Sequence, residues 1–408
     1  MRAELDAVRT FAAGLRADGL TDIYLLGMGG SSLCAEVLRD AAGTSDSGFS
    51  LTVLDTTDER AIQRVTQTLV AVRSCFLVAS KSGSTLEVTS LERHFRSAIT
   101  AAGALQPGRH FAAITDPGTS LVAHASATGY RHTFINPPDI GGRYSALSLF
   151  GLLPAVLCGV SLDALLDSAA AMAARCRRDE ADNPGLALGA FMGEHALAGR
   201  DKLTTLIAPA LAPLGAWVEQ LVAESTGKHG HGVLPVVDEP VGATAVYGHD
   251  RAFVAVLTPD AHAEREAAAH LAAAGHPVFT IGTSVADLGG EFFRWEFATA
   301  VAGVVLSVNP FDEPDVRGAK ARTQAQLDAR AATGAFRADP PLVAVGPGLS
   351  RREFRSSTAP SGDRRYIAIL DYLPVDPSRA DVVTRVRASL RDRTGRPNTH
   401  GVGPRYLH

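Results

Sequence analysis

Two loops rich in glycine and hydroxyl side chains are the parts of this sequence best suited to bind an anion. The first, GMGGSS at residues 27–32, follows an apolar run and opens a helical stretch, whereas the second, SKSGST at residues 80–85, holds four hydroxyls and an ammonium within six residues. Glycine lets the backbone approach a ligand, and a helix N-terminus offers it N–H groups and a positive dipole. We expect the second loop to hold a phosphate monoester, and the alternative is a polar turn that caps a helix.

The first loop also fits most of a dinucleotide-binding fingerprint. Asp55 lies at the end of the next predicted strand, where that fingerprint places its ribose-binding acid. Ser32, however, stands in the place of the third glycine. A nicotinamide-dependent enzyme is therefore an alternative that the sequence supports only in part.

Three further segments hold residues that could move protons or stabilise charge. Glu224 lies at a predicted helix end beside STGK, where a carboxylate can be held and partly desolvated as a general base. Arg143, in GGRYS, could stabilise negative charge on a sugar oxygen, and Lys320 follows the turn NPFDEP. Each has a plain alternative: a solvated glutamate, a structural turn and a surface lysine. The pair His229 and His231 lacks a third ligand, and we predict no metal site.

Composition limits the classes of protein to which the chain can belong. The 408 residues correspond to two or three domains at roughly 100–200 residues each. A net charge of −4 provides no global basic field for nucleic acid or an anionic membrane, so we expect neither as a partner. The longest uncharged run is too short for a membrane span, no signal peptide is evident, and the four cysteines show no close pairing. These features favour a cytoplasmic protein with reduced, buried cysteines.

Apolar runs alternate with helix-length segments along the chain, a pattern typical of a doubly wound parallel sheet. Two such rounds are separated by a long helical region over residues 144–198, and residues 334–363 have the composition of a linker. A small basic module follows. The predicted strands are 22–27, 51–55, 74–80, 110–115, 202–209, 252–257, 278–281, 366–372 and a terminal one near 402–407.

Taken in order, these segments resemble the phosphoglucose isomerases of the sugar isomerase (SIS) superfamily over about residues 20–325. The stretch GGEFFRWEFATAVAG, the turn NPFDEP and the C-terminal GVGPRYLH look closest to the isomerase half of bacterial transaldolase/isomerase fusion proteins. The resemblance implies an α/β fold with two SIS-type, flavodoxin-like parallel-sheet domains, at 1–160 and 161–333. A small C-terminal α+β module would span 334–408, and related enzymes are typically homodimers.

The same resemblance implies reversible isomerisation of glucose 6-phosphate and fructose 6-phosphate, without metal or cofactor. Glu224 would move the proton between C1 and C2, Arg143 would stabilise the cis-enediolate, and Lys320 would assist ring opening. The backbone near Gly142 and the residue Glu313 would also face the substrate. The phosphate would be bound by Gly30, Ser31, Ser80, Lys81, Ser82, Ser84 and Thr85.

Some residues depart from the family pattern. Val88 replaces a phosphate-binding threonine, and Glu313 replaces a glutamine. The family's ring-opening histidine, usually donated by a neighbouring subunit, is placed here at His249, with His270 as second choice. Two alternatives stay open: a non-catalytic phosphosugar-binding regulator, and an isomerase that also accepts mannose 6-phosphate.

Overall fold

Five parallel strands form the first sheet of the computed structural model, which describes residues 2–43, 48–337, 366–373 and 377–407. Their order is β2-β1-β3-β4-β5. The order in which successive strands are added to the sheet therefore reverses between β1 and β3. The central strands β3 and β4 are buried throughout, as expected of a parallel sheet covered on both faces. The strands are β1 Asp22–Gly27, β2 Ser50–Leu54, β3 Ser74–Ala79, β4 Phe111–Thr115 and β5 His132–Ile135.

Helices on both faces of this sheet complete the first doubly wound unit. They are α1 Arg2–Ala17, α2 Leu33–Ala42, α3 Glu59–Thr68, α4 Leu86–Ala101 and α5 Ser120–Ala127.

The predicted long helical region at 144–198 is three helices, α6 Leu149–Leu157, α7 Leu162–Cys176 and α8 Pro184–Leu197. The breaks have local causes. Ser161 caps α7 by accepting a hydrogen bond from the Ala164 N–H, and Asn183 caps α8 by accepting from the Gly185 and Leu186 N–H groups. Pro184 then occupies the first turn of α8, where it cannot continue a preceding helix.

The second sheet repeats the arrangement with four parallel strands in the order β7-β6-β8-β9. The order in which successive strands are added to this sheet reverses between β6 and β8. The strands are β6 Lys202–Ile207, β7 Leu234–Val236, β8 Arg251–Leu257 and β9 Val278–Gly282, and the helices are α9 Leu214–Thr226, α10 His262–Ala273 and α11 Leu288–Val305.

After α12, Pro314–Thr333, the described chain resumes with two parallel strands, β10 Ile367–Asp371 and β11 Asn398–Val402, joined by α13 Pro377–Thr394. The predicted terminal strand near 402–407 was wrong, because the strand ends at Val402 and residues 405–407 form a 3-10 turn. Pro404 has no N–H with which to extend the ladder. The predicted linker at 334–363 lies outside the described residues except for 334–337.

Both sheets contribute to one shared apolar core, and each sheet also carries a separate buried cluster of its own. One continuous cluster of buried side chains includes Leu25 and Leu77 from the first sheet, Val254 from the second, and Trp217 and Trp295 from α9 and α11. Residues 1–311 and 367–408 form one compact unit, and residues 312–366 form another. The domain boundaries derived from the sequence stay a prediction.

The four cysteines are buried and form no disulfide, as the sequence predicted. Burial raises the pKa of the Cys34 thiol to about 12, so it is inert as a nucleophile. No helix in the described part of the chain is long and apolar enough to cross a membrane.

Candidate active site

The two loops predicted to bind an anion, at 27–32 and 80–85, leave the same edge of the first sheet side by side. Gly27, the last residue of β1, pairs with Ala79, the last residue of β3. A 3-10 turn, Gly29–Ser31, follows β1, and the loop 80–85 follows β3. This is the point at which the strand order reverses, where doubly wound sheets bind their ligands.

Hydroxyl groups organise the loop 80–85. The Oγ of Ser80, which is buried, lies 2.9 Å from the Oγ1 of Thr85. Thr85 stands at the N-cap position of α4, yet its side chain makes no capping hydrogen bond. The alternative of a capping turn therefore does not account for this threonine. The exposed Ser84 hydroxyl donates to the Ser82 Oγ at 3.2 Å, so two further hydroxyls lie at the surface of the loop.

Gly83 allows the tight turn in this loop. Its φ is +67°, and an added Cβ would lie 2.6 Å from the Cβ of Thr119. Both the backbone conformation and the space therefore require glycine.

The side chain of Lys81, within the loop 80–85, contacts two partners from neighbouring segments. Its ammonium pairs with the carboxylate of Asp116, directly after β4, and donates to the Pro138 carbonyl at 3.1 Å. The sequence analysis missed Asp116, although its position at the carboxyl end of the adjacent strand was a usable signal.

The first loop, at residues 27–32 and called the glycine loop below, packs directly against the turn that carries Arg143. An added Cβ at Gly30 would lie 2.2 Å from the carbonyl oxygen of Gly142, so only glycine fits. The Ser145 hydroxyl is 2.6 Å from that same carbonyl oxygen and 3.2 Å from the carbonyl oxygen of Gly30. Arg143, Gly142 and the first predicted phosphate-binding loop thus form one surface.

The structure brings together Glu224, predicted to transfer the proton, and Arg143, predicted to stabilise the enediolate. The Nε of Arg143 is 3.8 Å from the Oε1 of Glu224, and the arginine side chain is 2% exposed against 22% for the glutamate. Helix α9, which ends just after Glu224, also contacts the turns at 29–31 and 142–144. Gln220 donates from its Nε2 to the Oε2 of Glu224 at 3.4 Å. The sequence analysis gave Gln220 no role, although its i, i+4 spacing from Glu224 was available.

Contacts beyond Glu224 fix the end of α9. The Oη of Tyr144 lies 3.2 Å from the Ser225 Oγ, and the ammonium of the buried Lys228 donates to the Asn309 carbonyl. Burial raises the pKa of the Tyr144 hydroxyl, which therefore stays protonated. The sequence analysis missed these contacts because their partners lie up to 81 residues apart.

Asp55 is held by an arginine rather than open to a ribose. Its Oδ2 is 2.5 Å from the Nε of Arg405 and 3.4 Å from the Oγ of Ser32, and the residue is 8% exposed. This geometry disfavours the nicotinamide alternative. Among the described residues, no group of three or more His, Cys, Asp or Glu side chains could hold a metal ion.

The remaining predicted residues are not connected to this surface by described contacts. His249 is exposed in the turn before β8, and His270 is exposed on α10. Glu313 and Lys320 belong to the unit 312–366, and the side chain of Lys320 lies outside the described residues. Their roles stay predictions. Val88 is buried in the core on α4, as its apolar character requires.

The arrangement supports proton transfer beside a bound anion. A carboxylate next to a fixed guanidinium can remove and return a proton while the cation offsets the charge that develops on a neighbouring oxygen. The hydroxyl-lined loop at the edge of the same sheet can hold a phosphate.

Comparisons with known proteins agree with this arrangement. The profile of the family described as Phosphoglucose isomerase matches residues 1–249. The glucose-6-phosphate isomerase of Rubrobacter xylanophilus is 29% identical in an alignment of 379 positions that covers 80% of this chain and 87% of that protein. The glucose-6-phosphate isomerase of Geobacter sulfurreducens is 32% identical over 56% of this chain and 46% of that protein. The probable glucose-6-phosphate isomerase of Haloquadratum walsbyi is 33% identical over 59% of this chain and 53% of that protein.

Solved structures with the same fold cover most of the chain. A hypothetical protein from Thermus thermophilus superposes with a TM-score of 0.72 at 26% identity, covering 79% of this chain and 87% of that one. A glucose-6-phosphate isomerase from Chlamydia trachomatis gives 0.68 at 20% identity, covering 81% and 74%, a likeness of fold alone. None of these comparisons tests the likeness to transaldolase fusion proteins.

Proposed function

Because the chain belongs to the phosphoglucose isomerase family, we propose that it interconverts glucose 6-phosphate and fructose 6-phosphate. The observation that carries the proposal is the approach of Arg143 to Glu224, 3.8 Å apart, on the surface that also includes the glycine loop. A neutral sugar carbon gives up its proton only if the resulting negative charge is stabilised, and the pair provides both a base and a cation.

The phosphate of the substrate binds at the carboxyl edge of the first sheet. The hydroxyls of Ser80, Ser82, Ser84 and Thr85 surround it, with Lys81 beside them and the backbone of Gly30 and Ser31 facing it from the adjacent loop. Support comes from the exposed hydroxyls of Ser82 and Ser84 and from the parallel exit of the two loops.

Proton transfer takes place at the other end of the hexose. The Glu224 carboxylate removes the proton from C2 of the open-chain aldose, the electron pair passes to the C1 carbonyl oxygen, and a cis-enediolate forms. The O2 hydroxyl proton passes to O1, Glu224 returns its proton to C1, and the electron pair on O2 forms the C2 carbonyl of the ketose, so one carboxylate serves both carbons. Arg143 stabilises the enediolate, and the neighbouring Gly142 backbone faces the substrate.

Ring opening is assigned to Lys320 and His249, with Glu313 facing the substrate. These assignments rest on the family resemblance alone. The resemblance also supports a homodimer in which each site receives the histidine of the neighbouring subunit, and a place in the cytoplasm.

The test is isomerisation in deuterated water by the full chain. Fructose 6-phosphate should yield glucose 6-phosphate with deuterium at C2, and Glu224→Gln should abolish both turnover and exchange. Glu266→Gln, at an exposed position on α10, is the matched control and should retain full activity.

The remaining alternatives give different results in the same experiment. Thermal stabilisation by hexose phosphates without turnover would replace the proposal with a phosphosugar-binding regulator. Equal turnover of mannose 6-phosphate would broaden the substrate class.

A further inference from the structure

Arg405, near the C-terminal end of the described chain, lies between two carboxylates of the first α/β unit. Its Nε is 2.5 Å from the Oδ2 of Asp55, and its Nη2 is 2.9 Å from the Oε2 of Glu36. The arginine side chain is 31% exposed, whereas Glu36 and Asp55 are 23% and 11% exposed. The C-terminal segment therefore reaches 350 residues back along the chain to a partly buried site.

The two carboxylates flank the glycine loop. Asp55 directly follows β2, the neighbour of β1. Glu36 lies in the first turn of α2, the helix that begins directly after the glycine loop. The Ser32 hydroxyl is fully buried, 3.4 Å from the Asp55 Oδ2 and 3.1 Å from the Gly29 carbonyl oxygen. The contacts thus run from Arg405 through Asp55 and Ser32 to the backbone of the turn Gly29–Ser31.

Charge explains why an arginine is needed at this position. Burial raises the pKa of Glu36, the negative charge of Asp55 adds to the rise, and the guanidinium of Arg405 opposes it. Two like charges with little access to water repel each other unless a cation lies between them. Arg39 also lies 3.6 Å from Glu36, so loss of Arg405 would leave chiefly Asp55 without a cation, and the Asp55 charge would repel an anion bound at the adjacent loop.

We propose that Arg405 is a positioning residue for substrate binding, because it compensates for the charge of Asp55, shares Glu36 with Arg39 and, through Ser32, holds the glycine loop in place for the phosphorylated sugar. The inference rests on the proposed function for the identity of the ligand. It adds a task for the C-terminal segment that the reaction itself does not require.

The test compares Arg405→Gln with two variants that separate charge from packing. In the isomerase assay, Arg405→Gln should raise KM about tenfold and leave kcat within about twofold, since the reacting groups are untouched. Adding Asp55→Asn should restore most of the affinity because it removes the uncompensated charge, and Arg405→Lys should give an intermediate KM. The control is Arg73→Gln, which breaks the 2.9 Å pair with Asp22 at the amino ends of the strands of the same sheet. This variant should leave KM unchanged.

The proposal is overturned if Arg405→Gln lowers kcat and thermal stability with KM unchanged, or if Asp55→Asn restores nothing. A second readout does not depend on catalysis. Hydrogen exchange of residues 28–33 should be faster in Arg405→Gln, and inorganic phosphate should bind it more weakly than it binds the parent protein. Unchanged exchange and phosphate affinity would refute the role of Arg405, whereas an inactive parent protein with both changes present would refute only the isomerase.

Discussion

Arg143 and Glu224 come from the connections of different sheets, yet the Nε of one lies 3.8 Å from the Oε1 of the other. Arg143 is almost fully buried, so little water solvates its charge, and the carboxylate compensates for it before substrate arrives. In the proposed reaction the developing enediolate would take over part of that compensation when the carboxylate becomes protonated. The pair therefore keeps a similar charge balance along the proton transfer, which is the condition for electrostatic preorganisation.

Arg143→Lys should lower kcat by about 10²–10³-fold with a smaller effect on KM, since a shorter, differently shaped cation cannot occupy the guanidinium position. Steady-state kinetics with fructose 6-phosphate measures the change. Arg131→Lys, which alters a 2.7 Å ion pair to Asp18 far from the site, is the control. Equal kcat in Arg143→Lys and the parent protein would contradict the assigned role.

Ser80→Ala should weaken substrate binding, because it removes a phosphate-facing hydroxyl and the 2.9 Å contact that orients Thr85. We expect KM to rise several-fold and the free energy of unfolding to fall by about 1 kcal/mol. Ser97→Ala, on the exposed side of α4, is the matched control. An unchanged KM in Ser80→Ala, measured alongside chemical denaturation, would place the phosphate elsewhere.

Glu239→Ala should be among the more destabilising single changes in the chain. Glu239 and Arg251 form a bidentate ion pair, at 2.9 and 3.1 Å, with both side chains 0% exposed. Removing the carboxylate leaves a buried guanidinium uncompensated, at a cost of about 3–5 kcal/mol in the free energy of unfolding. Urea denaturation should show this loss, whereas Asp6→Ala, which breaks an exposed pair, should cost no more than about 0.5 kcal/mol. Similar midpoints for the two variants would be the contrary result.

Glu219 should make stability fall as pH rises. Burial raises its pKa to about 7, against the opposing charge of Arg387, while the usual value is 4.5. The folded state then holds the proton more tightly than the unfolded state, so stability present below about pH 4.5 is lost as the pH passes 7. Glu219→Gln should therefore gain stability relative to the parent protein between about pH 5 and pH 8. Thermal midpoints across this range test it, with Glu266→Gln as the control whose difference from the parent protein should not vary with pH.

The sequence predicted the central strands well and missed two edge strands for one physical reason. Strands such as β1 and β8 are buried on both faces and appear in the sequence as continuous apolar runs. The edge strand β5 has only four residues, of which one is buried, and the edge strand β7 has only three residues. Segments this short carry too little periodicity to be distinguished from loops.

In the candidate site, groups that are close together in the sequence could be recognised, whereas pairs that are far apart could not. The loops at 27–32 and 80–85 could be recognised because each contains its ligand-binding groups within six residues. The pairing of Asp55 with Arg405 could not, since the two residues are 350 positions apart in the sequence. Charge complementarity over such separations has no signature in a single sequence.

The shared core also limits where the chain could be cut into fragments that fold independently. Leu221 and Trp217 on α9 belong to the same buried cluster as Val37 and Leu38 on α2, so the apolar faces of the two α/β halves cover each other. A fragment ending near residue 160 would expose that surface to water and aggregate instead of folding as an independent module. The two halves therefore depend on each other for a buried core, and an exchange of one half between relatives would be tolerated only where both sides of the core match.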